Sequence, residues 1–212
     1  MTHRPRCAPG AASKGCTVQR AEEHELIRQA AEGDRTAAGA LVRSYQQSVY
    51  AYLLRMSGRP DIAEDIAQEA FVRVLTNLHR FDYRYRFSTW LFTIARRLYM
   101  NAMAKHRPAY DSDIVGSWRG NADTPQHHTL STEQHAAHKD ALQSALDQLS
   151  LEQREIIVLF HQLDWPIALI ADHLDMPEGT VKSHLHRGRK RLRQIISTHD
   201  QLSAALVEEQ IG

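Results

Sequence analysis

Apolar residues return every three or four positions through most of this 212-residue chain, and nowhere do they alternate in the two-residue step of a half-buried strand. That periodicity confines the chain to an all-α fold. Leu26, Ile27 and Ala30 mark a first short helix that breaks at Gly33. From Asp34 to Met56 the stripe Leu41, Val42, Tyr45, Val49, Tyr52 and Leu53 marks a longer one, which Ser57 and Gly58 end. Pro60 suits the first turn of a third helix, with Ile62, Ile66, Ala70, Phe71, Val74 and Leu78 on its buried side. After an aperiodic stretch from His79 to Phe87, Ser88 opens a fourth, carrying Leu91, Ile94, Ala95, Leu98 and Ala102 as far as Lys105.

The periodicity then lapses. Residues 108–131 hold Pro108, Gly116, Gly120 and Pro125 among polar side chains, the composition of a flexible linker. Helical spacing resumes near Thr132. Ser150 and Gln153 form a capping box for a helix from Leu151 to Leu163, a short helix follows from about Pro166, and a last long one runs from about Pro177 or Glu178 to Ile196. The expected organisation is therefore two helical domains, 21–107 and 132–197, joined by the linker and flanked by a disordered tail over 1–20 and a C-terminal tail over 198–212.

Composition excludes several classes. Hydrophobic residues make up 42% of the chain and charged residues 24%, the balance of a globular protein with a core in each half. No run approaches the ~18 apolar residues of a membrane span, and no signal-peptide stretch opens the chain, so membrane insertion is not expected and a cytoplasmic location is. The two cysteines, Cys7 and Cys16, lie in the first tail and cannot form a disulfide framework. Histidines are scattered: His127, His128, His135 and His138 come with no carboxylate or thiol set, so no metal, other cofactor or catalytic residue is expected, and the chain reads as non-enzymatic.

The net charge of +1 hides a strong sorting of charge. One basic block runs from Arg80 through Arg84, Arg86, Arg96, Arg97 and Lys105 to Arg107. A second comprises Lys182, Arg187, Arg189, Lys190, Arg191 and Arg193. Two blocks this far apart predict two phosphate-facing surfaces, one per domain.

The second block lies on a helix-turn-helix. The short helix Ile167–Leu174, the tight Asp-Met-Pro-Glu-Gly connection and a long helix packing through Val181, Leu185, Leu192 and Ile196 leave Glu178, Thr180, Lys182, Ser183, His186, Arg187 and Lys190 facing outward. Such a face offers polar groups for base edges near its start and cations for the flanking phosphates. The bland counterpart is a solvated basic face on a bundle helix.

In the first block, Arg80-Phe81-Asp82-Tyr83-Arg84-Tyr85-Arg86-Phe87 alternates rings with guanidinium groups. Rings can stack on unpaired bases while arginines hold the backbone. Sealing of the core explains Phe81 and Trp90 equally well, so Tyr83, Arg84 and Tyr85 are the members expected at the surface. On the third helix, Asp61, Glu64, Asp65, Gln68 and Glu69 share the outer face. The helix dipole accounts for acids in the first turn, whereas Gln68 and Glu69 suit the docking of an arginine-bearing partner.

Three stretches, Asp61-Ile-Ala-Glu-Asp-Ile-Ala-Gln-Glu-Ala-Phe-Val-Arg, Phe87-Ser-Thr-Trp-Leu-Phe-Thr-Ile-Ala-Arg and Pro177-Glu-Gly-Thr-Val-Lys-Ser-His-Leu-His-Arg-Gly-Arg, resemble in order and spacing the signature stretches of extracytoplasmic-function (ECF) sigma factors. The resemblance covers about Glu25 to Ile196. It implies that 21–107 corresponds to region two, which grips the clamp of core RNA polymerase and melts the minus-ten element, and that 132–197 corresponds to region four, which reads the minus-thirty-five element. Carried onto this chain, it implies polymerase binding by Asp61, Asp65, Gln68 and Glu69. Minus-ten contacts fall to Tyr83, Arg84, Tyr85, Arg86, Arg96, Arg97 and Asn101, and minus-thirty-five contacts to the outward residues of the last helix. The implied partners are core RNA polymerase and promoter DNA, with room for an anti-sigma factor. Three departures stand out: Arg97 where the family often has Asn, Asp164-Trp165-Pro166 in place of a small polar cap, and Gly188 in place of Ala.

A stand-alone helix-turn-helix regulator is the main rival, and a pure protein adaptor acting through the acidic face is a third reading. The regulator leaves the aromatic-arginine loop and the acidic helix without a purpose.

Overall fold

The computed structural model describes residues 20–105 and 140–211, the side chains of 199–211 excepted. The first tail, with both cysteines, the expected linker, and the His127, His128, His135 and His138 group lie outside the described residues. All regular structure among the described residues is helical. In chain order α1 spans Arg20–Ala31, α2 Arg35–Ser57, α3 Pro60–Thr76 and α4 Phe87–Lys105, with a 3₁₀ turn at Leu78–Arg80. In the second half α5 covers 140–147 of the described chain, α6 Leu151–His161, α7 Ile167–Leu174 and α8 Glu178–Ile211.

Local chemistry sets most boundaries. Asp34 caps α2, its carboxylate accepting from the N–H groups of Thr36 (2.7 Å) and Ala37 (3.3 Å). At the other end Gly58 adopts φ 66°, left-handed geometry that lets its N–H reach the Leu54 carbonyl. Pro60 follows at the start of α3, where a missing N–H costs nothing. The Ser150 hydroxyl accepts from Gln153 N–H at the head of α6. In the helix-turn-helix, Asp175 takes φ 54° and closes α7, its N–H and that of Met176 both meeting the Ala171 carbonyl.

The first half packs α2, α3 and α4 around Tyr52, Leu53, Met56, Ala70, Leu91 and Phe92, with Ile27 of α1 closing one side. In the second half α6, α7 and α8 enclose Ile156, Leu159, Ile170 and Val181. The two cores touch through Phe92 and Trp165, whose rings meet edge to face with centroids 5.5 Å apart. Polar groups cross the same boundary. Arg154 of α6 donates to the Met56 carbonyl (2.7 Å), which also accepts from the Tyr99 hydroxyl of α4 (2.8 Å), and Gln143 of α5 donates to the Arg55 carbonyl (3.1 Å), so the second half helps to satisfy carbonyls at the end of α2.

One boundary and one buried position differ from the sequence expectation. α8 does not stop at Ile196 but continues to Ile211, so the backbone of 198–211 is helical. Along that helix the buried positions are Val181, Leu185 and Gly188, followed by half-buried Leu192 and Ile195, whereas Ile196 is exposed. These positions recur at steps of four and three, the regular stripe of one helix face, on which Ile196 does not lie.

Candidate nucleic-acid interface

The expected polymerase-facing residues share the outside of α3. Asp61, Asp65, Gln68 and Glu69 are all exposed, and the same helix shows Val72 with 59% of its surface free. Asp61 pairs with Arg59, which holds its carboxyl below the usual carboxylate range. Glu69 pairs with Arg73 at 2.6 Å, and Gln68 donates to Glu64. These are exposed pairs that contribute little to the fold. The face therefore carries charge and apolar surface that intramolecular packing does not use.

Between the 3₁₀ turn and α4, packing separates the rings. Phe81 and Phe87 are buried and meet each other and Trp90 at centroid distances of 5.4 to 6.0 Å. Tyr83 and Tyr85 keep 41% and 62% of their surface exposed. Tyr83 is not free to swing, since its ring stands edge-on to both Phe81 and His24. Arg84 forms a two-point pair with Asp82, lowering the Asp82 carboxyl below its ordinary range, and its guanidinium stands 5.9 Å from the Tyr85 ring centroid. The loop thus presents one anchored ring and one exposed ring, with Arg84 and Arg86 beside them in solvent.

α4 carries the next candidates on different faces. Arg97 and Asn101 are exposed. Arg97 lines a cavity of about 300 Å³ with Arg73, Asn77, Arg80, Trp90 and Ile94. Three guanidinium groups beside an indole make an anion-attracting recess with an aromatic wall. Arg73 and Asn77 are absent from the sequence-based set. Their spacing of four along the end of α3, facing the basic block at Arg80, is the signal that was available. Arg96 points the other way. Its Nε donates to both carboxylate oxygens of Glu155, at 2.8 and 3.0 Å, across the boundary between the halves.

In the helix-turn-helix, Glu178, Lys182, Ser183, His186, Arg187 and Lys190 are exposed and Thr180 half-buried. Lys182 lies 3.4 Å from Glu178, the Ser183 hydroxyl donates back to the Gly179 carbonyl, and Arg187 Nε reaches the Ser183 carbonyl. Each of these contacts stays within the helix, and the cations remain in solvent. Arg189 behaves differently: it donates to His161 Nε2 at 2.9 Å and lies 4.9 Å over the Phe160 ring. Burial, with Arg189 alongside, lowers the His161 pKa and favours the neutral ring that accepts this bond. Arg189 thereby fastens α8 to α6, leaving Lys182, Arg187 and Lys190 on the free face.

Among the described residues no group of three or more His, Cys, Asp or Glu converges as a metal site, and no helix is long and apolar enough to cross a membrane.

Comparison with known proteins places this geometry. Residues 41–108 match the model of sigma-70 region 2, and residues 139–192 match sigma-70 region 4. The chain is 33% identical over 178 residues to the ECF RNA polymerase sigma factor SigW of Bacillus subtilis, covering 79% of this chain and 93% of that protein. It is 32% identical over 165 residues to the ECF RNA polymerase sigma factor SigL of Mycobacterium tuberculosis, covering 77% and 91%. Among solved structures, the sigma factor RpoE of Bartonella quintana, crystallised with the anti-sigma factor NepR, superposes with a TM-score of 0.61 at 26% identity over 75% of this chain and 96% of that one. With two ordered family matches and a relative spanned almost end to end, the chain belongs to the extracytoplasmic-function family of RNA polymerase sigma factors.

Proposed function

We infer that the chain serves as a promoter-specificity subunit of RNA polymerase: it binds the core enzyme, brings it to a promoter and helps to open the DNA, without chemistry of its own and in the cytoplasm. The observation that carries this reading is the pairing, in one chain of this family, of an exposed ring-and-arginine loop ahead of α4 with a free basic face on α8. The first suits separated strands and the second suits duplex.

In this reading Asp61, Asp65, Gln68 and Glu69 on α3 meet the core enzyme. Tyr83 and Tyr85 stack on unpaired minus-ten bases, and Arg84, Arg86, Arg96, Arg97 and Asn101 hold the adjacent backbone. On α8, Lys182, Arg187 and Lys190 neutralise phosphates of the minus-thirty-five duplex while Glu178, Thr180, Ser183 and His186 lie nearer the base edges. The working boundaries are 21–107 for the first domain and 132–197 for the second. An anti-sigma factor, as found with RpoE, is a fitting further partner.

Reconstituted transcription on a genomic-fragment library, with and without added core polymerase, tests the reading. Discrete start sites that appear only when chain and core are combined support it. Tight, specific duplex binding by the chain alone, with no effect on core, would favour the stand-alone regulator.

A further inference from the structure

The recess between α3 and α4 has two matched walls. Arg73, Asn77 and Arg80 line one, and Trp90, Ile94 and Arg97 line the other, each set at steps of four and three along the chain, so that all six meet at a gap of about 300 Å³. That volume lies at the lower end of small-ligand pockets. Trp90 is half-buried with its ring packed on Phe81 and Phe87, and its remaining surface joins half-buried Ile94 as the apolar part of the lining.

The fold makes little use of the polar groups gathered here. Arg73 Nε is held by Glu69, but Arg80 and Arg97, both exposed, pair with no carboxylate among the described residues. Asn77 donates through Nδ2 to the Arg73 carbonyl, which leaves its Oδ1 as an acceptor. Among the described residues no acid lines the gap. Guanidinium groups collected in this way repel one another, and an anion bound between them removes that cost.

The lining selects a class of ligand. An indole offers its face to a planar base, guanidinium forks grip phosphate oxygens two at a time, and an amide oxygen accepts from an amino group on a base edge. A nucleic-acid strand brings one negative charge per nucleotide. Three cations around a gap of this size match a polyphosphate more closely, because its charges sit together at one end of a single nucleotide. A purine presents the larger surface for stacking.

We propose that the recess binds a free purine nucleoside polyphosphate, its base against Trp90 and its phosphates between Arg73, Arg80 and Arg97. Since Arg97 is also assigned to the minus-ten strand, an occupied recess opposes strand capture; that consequence rests on the proposed function, whereas the binding itself does not.

The test uses the full chain with GTP as the probe, titrated by calorimetry beside GMP and inorganic triphosphate. Arg80→Gln and Arg97→Gln remove exposed charges from the recess, Arg43→Gln removes an equal charge from the exposed surface of α2, and thermal melts verify folding. GTP should saturate one site, with GMP and triphosphate each about ten-fold weaker or more, the first for want of charge and the second for want of a stacked base. Each recess variant should weaken GTP about ten-fold, the size expected from losing a hydrogen bond to a charged group, and Arg43→Gln should match wild type. No saturable binding, GMP or triphosphate equal to GTP, or the same loss in Arg43→Gln would overturn the site. A second arm follows a labelled mixed-sequence single-stranded oligonucleotide by fluorescence anisotropy, and GTP should displace it from the wild type. Oligonucleotide binding that falls in the recess variants of a chain that takes up no GTP would assign the recess to the strand and overturn the proposal. GTP binding with the expected variant pattern but without displacement would uphold the site and contradict the strand role of Arg97.

Discussion

Gly188 of α8 lies so close to α6 that a Cβ added to it would stand 2.6 Å from Ile157 Cδ1, while the next atoms, Gln153 Cβ and Ile157 Cγ1, are at an ordinary 3.5 Å. One methyl group therefore explains a glycine inside a helix. Gly188→Ala gains about 1 kcal/mol of helix propensity and loses a comparable amount by displacing Ile157, so alone it should shift stability by less than about 1 kcal/mol. In an Ile157→Val background the obstructing atom is gone, and Gly188→Ala should then stabilise by about 1 kcal/mol. Denaturant melts of the four chains form a double-mutant cycle, and additivity would refute the contact as the reason for glycine.

Asp175 holds a left-handed backbone, φ 54°, at the turn of the helix-turn-helix, and its side chain is exposed. Asp175→Gly should stabilise the second half by about 0.5–1 kcal/mol and Asp175→Val should destabilise it by about 1–2 kcal/mol, because glycine takes the left-handed backbone without a Cβ clash and a β-branched residue does not. Equal melting points for the two would contradict this account of the turn.

His173 sits between the halves with Nδ1 against Thr93 and with Nε2 buried and unpartnered, and burial followed by the nearby Arg96 lowers its pKa to about 4. The Thr93 hydroxyl donates to the Thr89 carbonyl, so Nδ1 carries the proton and donates to Thr93. A second proton would have no acceptor. The unfolded ring, with an ordinary pKa of 6.5, takes up that proton first. Stability should thus be intact above pH 6.5 and fall as pH drops from 6.5 toward 4, by on the order of 1–2 kcal/mol for a half-buried ring. His173→Asn keeps a donor toward Thr93 but does not titrate. Its pH–stability profile should be flatter over this window, and identical slopes would exclude His173 as the source.

Lys190 on the free face of α8 should contribute through phosphate charge alone. Lys190→Ala should reduce the slope of log affinity against log salt by about one and leave sequence preference unchanged. Ser183→Ala should do the reverse, altering preference at a base position while preserving the slope. A changed preference in Lys190→Ala would mean that the helix is set differently in the groove.

Much of this was legible from periodicity and capping chemistry. Asp34, Gly58, Pro60 and Ser150 mark boundaries through local hydrogen bonding, which a sequence displays directly. Burial of Phe81 beneath exposed Tyr83 and Tyr85 also follows from the pattern. What the sequence hides is contact between distant segments. Arg96 reads as one more cation of a DNA-facing block until Glu155 is seen to hold it. The available sign was Glu155 itself, a carboxylate one turn before Leu159 and leading an apolar run, where a residue facing the core belongs.

The central claim, that the chain opens promoters as a polymerase subunit, is tested most directly by permanganate reactivity of unpaired thymines on a promoter found by start-site mapping. Reactivity should appear with chain and core together and with neither alone. Tyr83→Ala with Tyr85→Ala should reduce it severalfold on duplex while leaving transcription from a pre-melted template near wild type, because stacking offsets the few kcal/mol that unpairing costs. No reactive thymines with the complete wild-type mixture, or an equal loss for the double variant on duplex and pre-melted DNA, would contradict the account.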